Sequence, residues 1–306
     1  MLKSGAVGLG PSAPFDNRGS EGETMKIGYL GPRATFTDLA VRHLFPGEEA
    51  TPFVTIPECI DSVEEGLCDF AVVPIENALE GSVNITLDYL IHEVPLFIIG
   101  EATAPIQQHL MVHPENEGRW QEAELILSHS HALAQCHKFL HREMKGVASE
   151  RMTSTAAAAQ YVQEHPEKNL AAIANGLAAL EYGLTIVREN IHDYDHNHTR
   201  FVVLSKHEQV LPPSELVSKG SKTTLVVTLP SDRTGALHQV LSAFSWRNLN
   251  LSKIESRPTK TGLGNYFFII DIEQQMDEVL IPGAMAELEA LGCSVKVLGS
   301  YPSFKL

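Results

Sequence analysis

The chain has 306 residues, 43% hydrophobic and 20% charged, and its 23 basic and 38 acidic side chains leave a formal net charge of −15. That length suits two domains with full cores, and the negative balance excludes nucleic acid or an anionic membrane as the main partner. No apolar run approaches the roughly 20 residues that span a bilayer.

Residues 1–24 are rich in Gly, Pro and Ser, lack an apolar period, and read as a flexible tail; Met25 directly precedes the strand-like Lys26–Leu30. From there β-rich runs alternate with helical patterns. Strands are expected at Lys26–Leu30, Thr51–Ile56, Phe70–Ile75, Leu96–Gly100, Leu125–Ser128, Leu170–Ala174 and Phe201–Leu204. Helices are expected at Phe36–Phe45, Pro57–Glu65, His131–Arg142, Ser154–His165 and Leu177–Tyr182. Such alternation implies βαβ units and a mostly parallel sheet. A long mixed stretch at 100–114 and a return at 189–199 suggest two α/β lobes within residues 25–210, with a cleft between them. Residues 211–221 (LPPSELVSKGS) read as a linker. Beyond it, within residues 222–306, come strand Thr223–Leu229, helix Ala236–Arg247, strands Leu251–Ser256 and Tyr266–Glu273, helix Pro282–Leu291 and strand Ser294–Leu298. That order, βαββαβ, is a ferredoxin-like unit. Leu237, Val240, Leu241 and Phe244 fall on one stripe of its first helix, expected to be buried. The acidity is uneven, −14 over residues 25–210 and zero over 222–306.

Three hydroxyl-bearing segments stand at strand-to-helix junctions: Gly31–Thr37, Ser128–His131 and Thr153–Thr155. Each can cap a helix, and each can offer an anion free N–H groups at a positive dipole end. Three together suit the strand C-termini where open α/β sheets bind ligands. The first lacks a Gly-Lys-Ser/Thr ending, which disfavours nucleotide. Arg200, before a hydrophobic strand, has the fork geometry that grips a carboxylate, and Glu76-Asn77 closes a buried strand. His192, His196 and His198 do not match a zinc spacing and read as a polar loop. Cys59, Cys68, Cys136 and Cys293 form no CxxC pair and read as reduced thiols of a cytoplasmic protein.

Taken together, Gly31–Thr37, Val73–Asn77 with Gly81-Ser82-Val83, Ser128–Cys136, Thr153–Ala157, Thr199-Arg200-Phe201, Gly235-Ala236-Leu237 and Ile254–Pro258 make the chain resemble the bacterial prephenate dehydratases that carry an ACT regulatory domain. Ala34 stands where that family usually has glycine. The resemblance implies an α/β fold: a two-lobed catalytic domain similar to type II periplasmic binding proteins, followed by the ferredoxin-like ACT unit. It implies loss of carbon dioxide and water from prephenate to give phenylpyruvate, without metal or organic cofactor. Thr199 is then expected at the departing hydroxyl, with the proton delivered by water or by a neighbour such as Glu76 or His129. Arg200 is expected on a substrate carboxylate and Phe201 against the ring or in support of the site. Thr35, Glu76, Asn77, Ser130, Thr153, Ser154 and Thr155 would bind the rest of the substrate. Phenylalanine would bind as effector at Gly235, Ala236, Leu237, Asn248, Glu255, Ser256, Arg257 and Pro258, at the interface of paired ACT domains, in a homodimer or homotetramer. Two alternatives stay open at this point: arogenate dehydration, and a non-catalytic sensor of a small anion.

Overall fold

The computed structural model describes residues 24–212, 216–231, 234–258 and 266–306. The expected tail lies outside them except for Thr24, as do residues 213–215 of the expected linker. The first lobe runs β1 (Lys26–Leu30), α1 (Phe36–Leu44), β2 (Glu49–Phe53), α2 (Ile56–Glu64), β3 (Phe70–Asn77), the two-residue β4 (Gly81–Ser82), α3 (Asn84–His92) and β5 (Phe97–Pro105). The second runs β6 (His109–Val112), a 3-10 segment at 114–122, β7 (Leu125–Ser128), α4 (Ser130–Gln135), α5 (His137–Glu143), β8 (Ala148–Arg151), α6 (Thr155–Glu164), β9 (Leu170–Ala174), α7 (Gly176–Tyr182) and β10 (Thr185–Arg188). The chain then re-enters the first lobe as β11 (His198–Ser205).

Local chemistry sets most helix starts. Thr35, Thr55, Ser154 and Asn175 each accept a backbone N–H as N-cap, and Gly183 closes α7 in the left-handed conformation. The expected helix His131–Arg142 is instead two helices, broken at Cys136, whose φ of −111° and ψ of 18° leave the helical range. The expectation of a mostly parallel sheet is also corrected. β1 is parallel to β2 and β3, and β7 to β8 and β9, but β11 runs antiparallel between β3 and β5, and β6 and β10 are antiparallel in the second lobe.

The second domain comprises β12 (Ser218–Thr228), α8 (Ala236–Ser245), β13 (Leu251–Pro258), β14 (Tyr266–Ile272), α9 (Leu280–Ala290) and β15 (Ser294–Lys305). Its antiparallel order β13-β14-β12-β15 is the ferredoxin-like arrangement expected from sequence. Two details differ. β12 begins at Ser218, paired with Phe304, so residues 218–221 are strand and not linker. In α8 the buried side is Ala236, Val240, Ala243 and Phe244, while Leu237 is exposed.

The end of β15 adds in parallel to β5, pairing Ser303 with Glu101 and Lys305 with Thr103, which fuses the first lobe and the second domain into one ten-stranded sheet. A core cluster crosses the seam, joining Ile75, Leu87 and Ile98 to Val226, Phe267 and Tyr301. Gly299 makes the close approach possible, because a Cβ there would stand 2.0 Å from the Ile98 carbonyl oxygen. Gly299→Ala is therefore expected to destabilise the protein by about 1–3 kcal/mol through forced separation of the two backbones. A lowered urea midpoint checks this; an unchanged one would show that the seam yields without cost.

Candidate active site

The lobes are joined by two adjacent crossings. His198 pairs with Pro105, and Ile106 N–H donates to Asn197 O at 2.9 Å. The loop after β1 meets the start of α6 and the loop after β9, and the turn after β3 meets the start of α4. The first loop reaches furthest. Ala34 is fully buried in the second lobe's core, in the cluster of Met111, Leu127, Ala156 and Ala178, and holds a φ of 62°. A left-handed φ disfavours any residue with a Cβ and favours glycine, so this alanine trades backbone ease for a buried methyl. Asn175 Nδ2 donates to Ala34 O at 3.0 Å, and Arg42 bridges Asp38 to Glu181 of the second lobe at 2.8 Å.

Thr199 is buried, and its Oγ accepts from Asn77 Nδ2 at 2.8 Å. The direction of that bond is settled locally. Asn77 Oδ1 accepts the backbone N–H groups of Leu79 and Glu80, each at 3.0 Å, which leaves the NH2 end to face Thr199, Asn197 Oδ1 and His198 O. A hydroxyl that accepts from an amide keeps its own hydrogen to donate elsewhere. Asn197, itself buried, was not singled out from sequence; its signal was the Asn-His-Thr-Arg run that begins β11.

Neighbours along a strand point to opposite faces, and this sends Arg200 and Glu76 away from Thr199 and Asn77. Arg200 donates from Nη1 to Glu76 at 2.5 Å, from Nε to Glu101 at 3.0 Å and from Nη2 to Asp271 of β14 at 2.8 Å, with a further Nη2 bond to Glu101. All three nitrogens are thus engaged by protein carboxylates in an interdomain ion cluster. Glu76 belongs to the same cluster, its carboxylate meeting Arg200 and, at 3.3 Å, Lys253 of β13. Glu101 is fully buried and also receives Lys222 at 2.8 Å. Burial alone would raise its pKa, but Arg200 and Lys222 hold the carboxyl below its ordinary value. Phe201 lies buried in the first lobe's core with Tyr29 and Val41.

The hydroxyl residues divide. Thr35 Oγ donates to Leu30 O and accepts from Asp38 N, and Ser154 caps α6 through Ala157 N at 2.9 Å. Both are occupied as caps, while Ser130 and Thr155, the first residues of α4 and α6, are partly buried and Thr153 is exposed on the loop after β8. His129 caps α4, and burial together with repulsion from His131 pushes its pKa below the ordinary value. The histidines of the 192–198 loop diverge: His192 Nδ1 accepts from Gln108 N–H while His198 bonds His196 O. Among the described residues no cluster of three or more His, Cys, Asp or Glu comes together to hold a metal.

In the second domain Gly235, with a φ of 84°, starts α8 at the sheet end where β13 finishes in Arg257-Pro258. Leu237, Ser256 and Pro258 are exposed there and Ala236 is buried. Asn248, with a φ of 54°, follows the other end of α8, about 15 Å away along a ten-residue helix. One chain does not bring it to Gly235. Glu255 and Arg257 turn inward onto the catalytic domain: Glu255 binds Ser82 Oγ, and Arg257 binds Asp88 at 2.6 Å.

A family model described as prephenate dehydratase matches residues 27–209, and an ACT domain model matches residues 223–292. The chain belongs to the prephenate dehydratase family. A prephenate dehydratase of Bacillus subtilis is 62% identical over 92% of this chain and 100% of its own length. A solved prephenate dehydratase of Arthrobacter aurescens in complex with L-Phe is 35% identical, with a TM-score of 0.80 over 90% of this chain and 89% of that one. An arogenate dehydratase of Petunia hybrida is 34% identical over 95% of this chain and 75% of its own length. The resemblance read from the motifs, the bacterial character and the fold class are thereby borne out. No described helix is long and apolar enough to cross a membrane, and all four cysteines are buried and outside any disulfide.

Proposed function

We propose that the chain converts prephenate to phenylpyruvate in phenylalanine biosynthesis, with Thr199 as the group that meets the departing hydroxyl. The observation that carries the site assignment is the Asn77–Thr199 pair, whose bond direction leaves the threonine hydrogen free to donate. In the reaction the ring carboxylate leaves as carbon dioxide, its bonding electrons enter the ring, and the hydroxyl departs as water after gaining one proton. Aromatisation drives the step, so the protein's work is to hold the dianion and stabilise the oxygen as its charge grows. A threonine hydroxyl donates a hydrogen bond well but a proton poorly. The proton itself comes through solvent in the cleft. Ser130, Thr153 and Thr155 supply donors to the substrate's carboxylates, beside the exposed Arg33.

The higher identity to the Bacillus enzyme than to the Petunia one favours prephenate over arogenate, and a free hydroxyl donor has no use in a sensor. Phenylalanine is the effector at the ACT domain, in keeping with the Arthrobacter complex. A homodimer or homotetramer is in keeping with the separation of Asn248 from Gly235, which a second copy of the chain could bridge, and with β13 as the end strand of the described sheet. The setting is the cytoplasm. The test is turnover of prephenate and of arogenate by the purified full chain, with and without phenylalanine. Phenylpyruvate formation suppressed by phenylalanine is expected; turnover of neither substrate would sink the reading.

A further inference from the structure

The two strands that carry the reactive pair also carry an ion pair on their other face. Asn77 and Thr199 meet on the cleft side, while Glu76 and Arg200, their neighbours in sequence, meet on the side of the second domain. From there contacts continue without a break into the regulatory strand. Arg200 reaches Asp271 at 2.8 Å, and Glu76 reaches Lys253 at 3.3 Å. Lys253 Nζ donates to Ser82 Oγ at 2.6 Å, Ser82 binds Glu255, and Arg257 ties Glu255 at 3.1 Å to Asp88 at 2.6 Å. Along β13 the residues alternate: Lys253, Glu255 and Arg257 are partly buried against the catalytic domain, whereas Ser252, Ile254 and Ser256 are exposed. The strand expected to bind the effector therefore grips the catalytic strands with its inner face.

We propose that Arg200 is a positioning residue that sets Thr199 against Asn77 from behind, and that the Glu76–Lys253–Ser82–Glu255 chain reports effector occupancy to that pair. The assignment rests on the reading of Thr199 given above. To serve as a substrate ligand Arg200 would have to leave three carboxylates, one of them fully buried, and pass through the plane of its own strand. As a positioning residue it stays where it is. An effector that binds the two arrangements of β13 unequally biases the cluster, and with it the placement of the hydroxyl.

The experiment is initial-rate kinetics on the full chain with prephenate, with and without phenylalanine. Arg200→Lys keeps the charge but loses the fork, and should lower kcat at least about tenfold while KM moves less than roughly threefold. Ser82→Ala removes one hydroxyl from the chain, and should leave the rate without phenylalanine within about twofold while shifting the half-inhibiting phenylalanine concentration at least about fivefold. A merely structural role would not move that second readout. If Arg200→Lys does not fold, Asp271→Asn removes the second domain's share of the same contact and is read by the same criteria. A raised KM at unchanged kcat would make Arg200 a substrate ligand and overturn the proposal, as would an unaltered phenylalanine response in Ser82→Ala. Normal turnover by Thr199→Ala would defeat the underlying site reading instead, so the two failures are distinct.

Discussion

Thr199→Ala is expected to lower kcat by about two to three orders of magnitude while leaving KM within roughly threefold, the range seen when one donor to a developing oxyanion is removed. The residue is buried and its oxygen is held by Asn77, so the ground-state substrate gains little from it. Its hydrogen matters when the C–O bond lengthens and the oxygen takes up charge. Thr199→Ser keeps the hydroxyl and should retain most of the rate, which separates loss of the donor from loss of packing. The check is steady-state kinetics on prephenate for both variants; an alanine variant at wild-type kcat would take Thr199 out of the chemistry.

The second large effect is on stability. Glu101→Gln leaves Arg200 and Lys222 facing a neutral amide in a fully buried site, and removal of one partner from a buried ion cluster costs about 3–5 kcal/mol. The pH dependence has a definite sign. Glu101 has a folded-state pKa below its ordinary value of 4.5, so the unfolded chain binds the proton first. The stabilisation is complete above about pH 4.5 and is lost as pH falls through the folded-state value. Urea midpoints measured from neutral pH downward should fall in the wild type below that range, and should fall less steeply in Glu101→Gln. Parallel slopes would show that Glu101 is not the group that titrates.

Periodicity and motif order carried the sequence reading a long way. The ferredoxin-like order was legible because apolar β-rich runs such as Leu225–Leu229 and Tyr266–Ile272 are separated by helical stretches and turn residues. Helix α3 was not, because its start has no side-chain cap and exposed Ile85 blurs its apolar stripe. The extra length of β15 was hidden for another reason: Tyr301 and Phe304 bury against a sheet from another domain, and no local pattern reports a distant partner. The same limit governs the site. Thr199 and Asn77 could be picked out as residue types near strand ends, yet the side each neighbour faces depends on strand pairing. The carboxylates around Arg200 come from β3, β5 and β14, and no spacing along the chain announces that they meet. Ala34 shows the converse. Its departure from glycine was visible in the sequence, and the structure supplies the reason it is tolerated, a methyl seated among the small residues of the opposite lobe.

The ten-stranded sheet also decides how the molecule is divided. With β15 laid along β5, the first lobe and the regulatory domain share one hydrogen-bonded sheet, and the second lobe joins it at the two crossings, Pro105–Ile106 and Asn197–His198. The Asn77–Asn197–Thr199 contacts lie beside those crossings, so the hydroxyl sits where the two lobes are stitched together. The contact of Ala34 with Asn175 adds another stitch between them.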